Sequence, residues 1–123
     1  LDKESNMASK GIYQYTVQES NNAGLGQGGS VFLNTAGTTF TPDNGVIVAI
    51  QNLGEEAKLS TLIPEDTNKF IGTTSGHKGY EGKGDQFDNT IELPASATIF
   101  GRFTSVSLQS SSGTGHGIIC YIG

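Results

Sequence analysis

Short runs of apolar, aromatic and β-branched residues alternate along this chain with clusters of Gly, Asn, Ser and Pro, which is the pattern of strands punctuated by turns. Ile12–Val17 places Tyr13, Tyr15 and Val17 on one face at period two and predicts a first strand. Gln18–Gly29 gathers Asn21, Asn22 and four glycines and reads as a long loop. Ser30–Thr35 predicts a second strand, and Thr38–Thr41 extends again after Ala36-Gly37. Pro42-Asp43-Asn44-Gly45 combines a residue locked near φ −65° with a pair that tolerates positive φ, so the chain should turn there.

Val46–Gln51 is apolar almost throughout, as expected of a strand covered on both faces. Ala57–Ile63 reads as a strand or a short helical turn that Pro64 ends. Glu65–Ile71 is polar and then extended, and it leads into a second long loop, Gly72–Gly84, with five glycines. Asn89–Leu93 alternates with Ile91 and Leu93 inward, and Pro94-Ala95-Ser96 turns the chain. Ala97–Leu108 is the longest extended run, and its apolar face switches partway, with Gly101 marking a bulge or bend. Ser110–Gly115 then makes a hairpin-like loop to a closing strand over Gly117–Ile122.

Seven or eight strands without a helix predict an all-β fold, an antiparallel β-sandwich or barrel of jelly-roll type with long Gly-rich loops. Residues 1–10 read as an N-terminal extension and 11–123 as a single β domain. Within the extension, Met7-Ala8-Ser9-Lys10 looks like a translation start, which makes Leu1–Asn6 a cloning remnant or an upstream extension. Leu1–Lys10 is polar, so no signal peptide is expected, and the longest aliphatic run, Val46–Ile50, is too short to span a bilayer.

Composition supports this reading: of 123 residues, 18 are Gly and only 15% are charged, which suits turns and strands better than salt-bridged helices. The net charge of −5, with 7 dispersed basic residues, disfavours a phosphate-binding face of the kind that holds nucleic acid. Charge is also unevenly placed. Ser20–Pro42 carries none, and Leu93–Gly123 carries only Arg102. Such neutral stretches belong in a core or against another subunit. Cys120, the sole cysteine, sits in an apolar run and reads as a small buried hydrophobe.

Candidate chemistry dissolves motif by motif. Gly24–Gly29 has the letters of a dinucleotide fingerprint but leads into a strand, where no helix N-terminus receives a pyrophosphate. Gly76–Gly84 lacks the first Gly and the final Ser or Thr of a Walker loop. Asp85, Asp88, Asn89 and Glu92 do not reproduce the alternating ligands of a calcium loop and read as a solvated acidic turn. His77 and His116 have no partner at metal-ligand spacing, and no nucleophile elbow occurs. The expectation is a protein with no catalytic, cofactor-binding or metal-binding residues. Tyr13, Tyr15 and Arg102 are the expected partner contacts, Arg102 through a bidentate bond to a carboxylate.

Four segments carry a family resemblance: Phe40–Asp43 before Val46–Gln51; Leu62-Ile63-Pro64-Glu65-Asp66; Leu93-Pro94-Ala95 before Thr98–Thr104; and the ending Ile118–Gly123. In this order they resemble small virion structural proteins of tailed, especially marine, bacteriophages. The resemblance implies a capsid decoration or cement protein on the outer surface of the head. It further implies contacts with the major capsid protein or other virion subunits, homo-oligomer formation, and no nucleic acid or membrane partner. The other reading is a carbohydrate- or receptor-binding module of a tail fibre or adhesin, using Tyr13, Tyr15 or Tyr80.

Overall fold

The structure is a computed structural model and describes residues 27–123. The expected strand Ile12–Val17, the 1–10 extension and most of the Gln18–Gly29 loop lie outside the described residues. Seven strands follow in order: β1 (Gly29–Leu33), β2 (Thr39–Phe40), β3 (Ile47–Asn52), β4 (Glu56–Pro64), β5 (Leu93–Pro94), β6 (Thr98–Ser112) and β7 (Ile118–Ile122). The only helical piece among the described residues is a 3-10 turn at Tyr80–Gly82. The fold is all-β and antiparallel, as the pattern predicts.

The strands join in one sheet in the order β1-β7-β3-β6-β4-β5, with β2 also on β6, and β1 and β5 end it without pairing to each other. The long strand β6 organises the sheet by changing partners along its length. Thr98–Phe103 lie against β3, while Phe103–Ser112 lie against β4. Because β3 stands between β6 and β7, the Ser110–Gly115 segment is a crossover and not the expected hairpin.

The inner face collects Ile47 and Ile50 of β3, Ala57, Leu59 and Leu62 of β4, Phe103, Val106 and Leu108 of β6, and Ile118, Cys120 and Ile122 of β7. Three of these strands turn residues three apart to the same side: Ile47 and Ile50, Leu59 and Leu62, Phe103 and Val106. A regular strand cannot do this, because side chains alternate at period two. Each case coincides with a bulge, where an extra residue resets the alternation. Val48 is extra against β7, Ser60 against β6, and Thr104 against β4. The change of face in β6 therefore falls at Thr104, three residues past Gly101. Gly101 does lie in an irregularity, since the step from Phe100 to Phe103 faces only Ala49 to Ile47 of β3; a Cβ there would also stand 2.6 Å from the Phe103 ring, so the glycine admits that ring to the core.

Other expectations give way to local hydrogen bonding. Glu65–Ile71 turns instead of extending, because Asp66 O accepts from Lys69 N and Phe70 N, both at 3.1 Å. This folds Phe70 back onto Phe103, edge to face at 6.3 Å. Ile91 is 40% exposed and not inward, since strand pairing begins only at Leu93. The glycine-rich loop is tied internally by the Gln86 amide. Its Oε1 accepts from Gly76 N at 2.9 Å, and its Nε2 donates to Phe87 O at 2.8 Å and Thr74 O at 3.2 Å.

Asn52, fully buried at the end of β3, holds the β5 turn to the sheet. Its Nδ2 donates to Leu93 O at 2.9 Å and Pro94 O at 3.0 Å, and its Oδ1 accepts from Gly54 N at 3.1 Å. Its backbone adds bonds with Ala97 O and Ser96 N. A buried amide with its donors and acceptor filled stabilises one geometry and penalises others.

Candidate interaction surface

The register across β1, β7, β3 and β6 defines what lies on the face turned away from the core. Val31, Cys120, Ile50 and Ile99 pair in a row and point inward. The neighbouring rows therefore point outward: Ser30, Tyr121, Ala49 and Phe100 in one, Phe32, Ile119, Gln51 and Thr98 in the other. Side chains on antiparallel neighbours touch directly across such rows. The outcome is an uncharged face with Phe32 and Phe100 on its two end strands and Tyr121, Ile119, Ala49 and Gln51 between them.

Much of this apolar surface meets solvent. Phe100 is 72% exposed and Phe32 is 48% exposed, while Ile119 and Tyr121 are half-buried. Leu53, one residue past β3 and 47% exposed, continues the apolar surface where its N–H donates to Gly117 O. Gly117 supports Phe32 through close approach. A Cβ at this position would stand 2.7 Å from the Phe32 ring, and the backbone φ of +134° is one that side chains resist. Three of the five exposed large hydrophobic residues among the described residues thus gather on or beside one sheet face. Scattered exposed apolar residues are ordinary, but a contiguous group marks an interaction site.

Electrostatics on this face are nearly absent. Arg102 is the sole charged residue among β1, β3, β7 and the first half of β6, and it shares Phe100's face. The bidentate carboxylate expected for it comes from its own chain: Nε bonds Glu65 Oε1 at 2.7 Å and an outer guanidinium nitrogen bonds Oε2 at 3.3 Å. That fork holds the Glu65 carboxyl below its usual range, first through the hydrogen bond and then through the charge. About half of each side chain stays exposed, 52% and 44%, so the pair borders Phe100 with its charges already matched. Tyr13 and Tyr15, the other expected contacts, lie outside the described residues.

The remaining polar groups serve local structure. Ser111 Oγ and His116 Nδ1 meet at 2.7 Å on the surface, closing the turn in which His116 N donates to Gly113 O. No carboxylate bonds this histidine among the described residues. Asp88 Oδ1 accepts from Thr90 N at 2.9 Å and Thr90 Oγ1 at 2.6 Å, which lowers its pKa and caps a turn. Glu92 pairs with Lys58 at 3.6 Å. Among the described residues no three His, Cys, Asp or Glu side chains gather to hold a metal ion. Cys120, in the core between Val31 and Ile50, has its thiol pushed up to about 12 by burial.

Sequence patterning marked Arg102 but passed over Phe32, Phe100 and Tyr121. A signal for Phe100 was present: Thr98 and Arg102 flank it at period two, and a large aromatic on an otherwise polar face calls for a contact. Phe32 and Tyr121 carried no such signal, because their facing depends on the pairing partners. Comparison of the chain with protein-family models, curated proteins and solved structures finds no match.

Proposed function

We propose that this chain is a non-enzymatic virion structural protein, a decoration or cement module that binds the outside of a phage head and stabilises it. The supporting observation is the uncharged aromatic face formed by Phe32, Ile119, Tyr121 and Phe100 across four strands. Interface centres are depleted of charge and enriched in aromatic residues, and this face has both properties. The occupant proposed for it is an uncharged, apolar patch on the major capsid protein. The choice of occupant follows the resemblance to virion proteins, whose segments Val46–Gln51, Thr98–Thr104 and Ile118–Gly123 supply β3, the first part of β6 and β7. An acidic partner surface is disfavoured, because the only cation beside the face among the described residues is already neutralised by Glu65.

The test is co-sedimentation of purified protein with mature heads that lack it, followed by heating of the loaded heads. Wild type should sediment with the heads and raise their disruption temperature. Phe100→Asp should keep its fold, since the side chain is largely exposed, and lose at least about 30-fold in affinity, as happens when an aromatic anchor of an interface is replaced. Wild type that stays in the supernatant but is retained on immobilised polysaccharide overturns this reading in favour of a carbohydrate-binding module.

A further inference from the structure

Asn44 is the one asparagine in the sequence that precedes a glycine. The pair sits in the turn 42–45 that leads into β3; both residues are exposed, and Gly45 has a φ of +79°. An asparagine amide is open to attack by the backbone nitrogen of the next residue, and in a turn the short side chain already lies near that backbone. A glycine leaves the nitrogen unshielded. The other described asparagines are held against this reaction. Asn52 is fully buried with its amide in three hydrogen bonds, and the next nitrogen, Leu53 N, donates to Gly117 O at 3.0 Å. Lys69 N, after Asn68, donates to Asp66 O at 3.1 Å, and Thr90 N, after Asn89, donates to Asp88 Oδ1 at 2.9 Å. Asn34 precedes Thr35, whose branched Cβ crowds the approach.

We propose that Asn44 is a site of spontaneous deamidation, and that its isoaspartyl product loosens the junction between this turn and the end of β7. Gly45 N attacks Asn44 Cγ. The new N–Cγ bond closes a succinimide ring, the Cγ–Nδ2 bond breaks, and Nδ2 leaves as ammonia with the proton from Gly45 N. Water then opens the ring. Addition at Cγ yields aspartate with the backbone unchanged, whereas addition at the Asn44 backbone carbonyl leaves the chain running through Cβ and Cγ, one carbon longer. The fold has no slack for that carbon. A Cβ on Gly45 would stand 2.6 Å from Gly123 O and 3.2 Å from Ile122 Cγ2, so the glycine backbone already lies against the end of β7. Val46, the next residue, is buried, and its carbonyl accepts from Gly123 N at 3.0 Å. The longer link displaces Gly45 and Val46, and the bond from Gly123 to Val46 opens first. The reaction needs only water, so it stands or falls independently of docking on a head.

Ageing of the purified full chain in mildly alkaline, heavy-oxygen water tests the assignment by peptide mass mapping. Asn44 should take up labelled oxygen about tenfold or more faster than Asn34, Asn52, Asn68 or Asn89, and the product should be a substrate for isoaspartyl methyltransferase. In the aged protein the Gly123 amide should exchange about tenfold or more faster than in fresh protein, while Ile50 and Cys120 stay protected. Asn44→Asp supplies the charge without the extra carbon and should keep Gly123 protected. Asn44→Gln, whose longer side chain closes a ring slowly, should gain no label at this position. Labelling of another asparagine first, or label at Asn44 without isoaspartate, overturns the site. Unchanged Gly123 exchange in the aged protein, or an equal loss of protection in Asn44→Asp, overturns the loosening of the junction.

Discussion

Replacing Asn52 by alanine isolates the contribution of one buried amide. The side chain makes three hydrogen bonds, to Leu93 O, Pro94 O and Gly54 N, and both Leu93 and Gly54 are buried. Alanine leaves Leu93 O and Gly54 N without this partner, while the exposed Pro94 O keeps its bond from Ala97 N at 3.1 Å, and each buried polar group left unpaired costs about 1–3 kcal/mol. The two buried groups add up to about 3 kcal/mol if the turn relaxes and about 5 kcal/mol if it does not. Both values are large against the roughly 5–15 kcal/mol that holds a domain of this size. With an m value of about 1.5 kcal/mol per molar urea, the midpoint should fall by about 2 M or more. Asn52→Asp adds a sign. Its carboxylate would face two carbonyls, so burial and repulsion raise its folded pKa, and stability should drop further as pH rises from 4 to 7. Urea unfolding followed by circular dichroism and tyrosine fluorescence measures both variants. A loss under 0.5 kcal/mol in Asn52→Ala, or a pH-independent Asn52→Asp, refutes the assignment of Asn52 as the pin between β3 and β5.

The Glu65 carboxyl should titrate below the ordinary glutamate range, and Arg102→Gln should return it toward that range, as read by side-chain carbon shifts; the pair's small contribution is present above the unfolded pKa and lost as pH falls through the folded one. An unchanged midpoint in Arg102→Gln refutes the fork. Cys120 should resist thiol reagents at pH 8 in the native protein and react fully in 6 M guanidinium, since burial keeps its thiol protonated. Rapid native labelling would contradict its place between β1 and β3. Phe103→Ala should lose about 3–5 kcal/mol, because the ring is fully buried against Phe70, whereas Phe100→Ala should change stability by less than about 0.5 kcal/mol.

The contrast between these two phenylalanines shows what the sequence makes legible. Strand identity was readable at Val46–Gln51 and Ala97–Leu108, because β-branched and aromatic runs bounded by Gly, Pro and Asn have few other stable forms. Facing was readable wherever alternation is unbroken, as in Ile118, Cys120 and Ile122. It was not readable across the bulges at Val48, Ser60 and Thr104, where a count by two predicts the wrong side for Ile50, Leu62 and Val106. Inward residues three apart in an extended run are the usable signature, and Phe103 with Val106 displays it. Topology stayed hidden for a different reason. Only long-range pairing shows that β6 separates β3 from β4, and that β3 separates β6 from β7. The aromatic face inherits that limit, since Phe32, Tyr121 and Phe100 become neighbours only through three pairings of strands distant in the chain.

Docking of this face on a phage head is the central claim, and a cryo-electron microscopy reconstruction of the particle that carries the protein tests it most directly. The account predicts β-domain density on the outside of the shell, with Phe32, Tyr121 and Phe100 turned toward a capsid subunit and the Tyr80–Gly82 turn toward solvent. A head without this density, or a bound domain whose aromatic face looks outward into solvent, would contradict it.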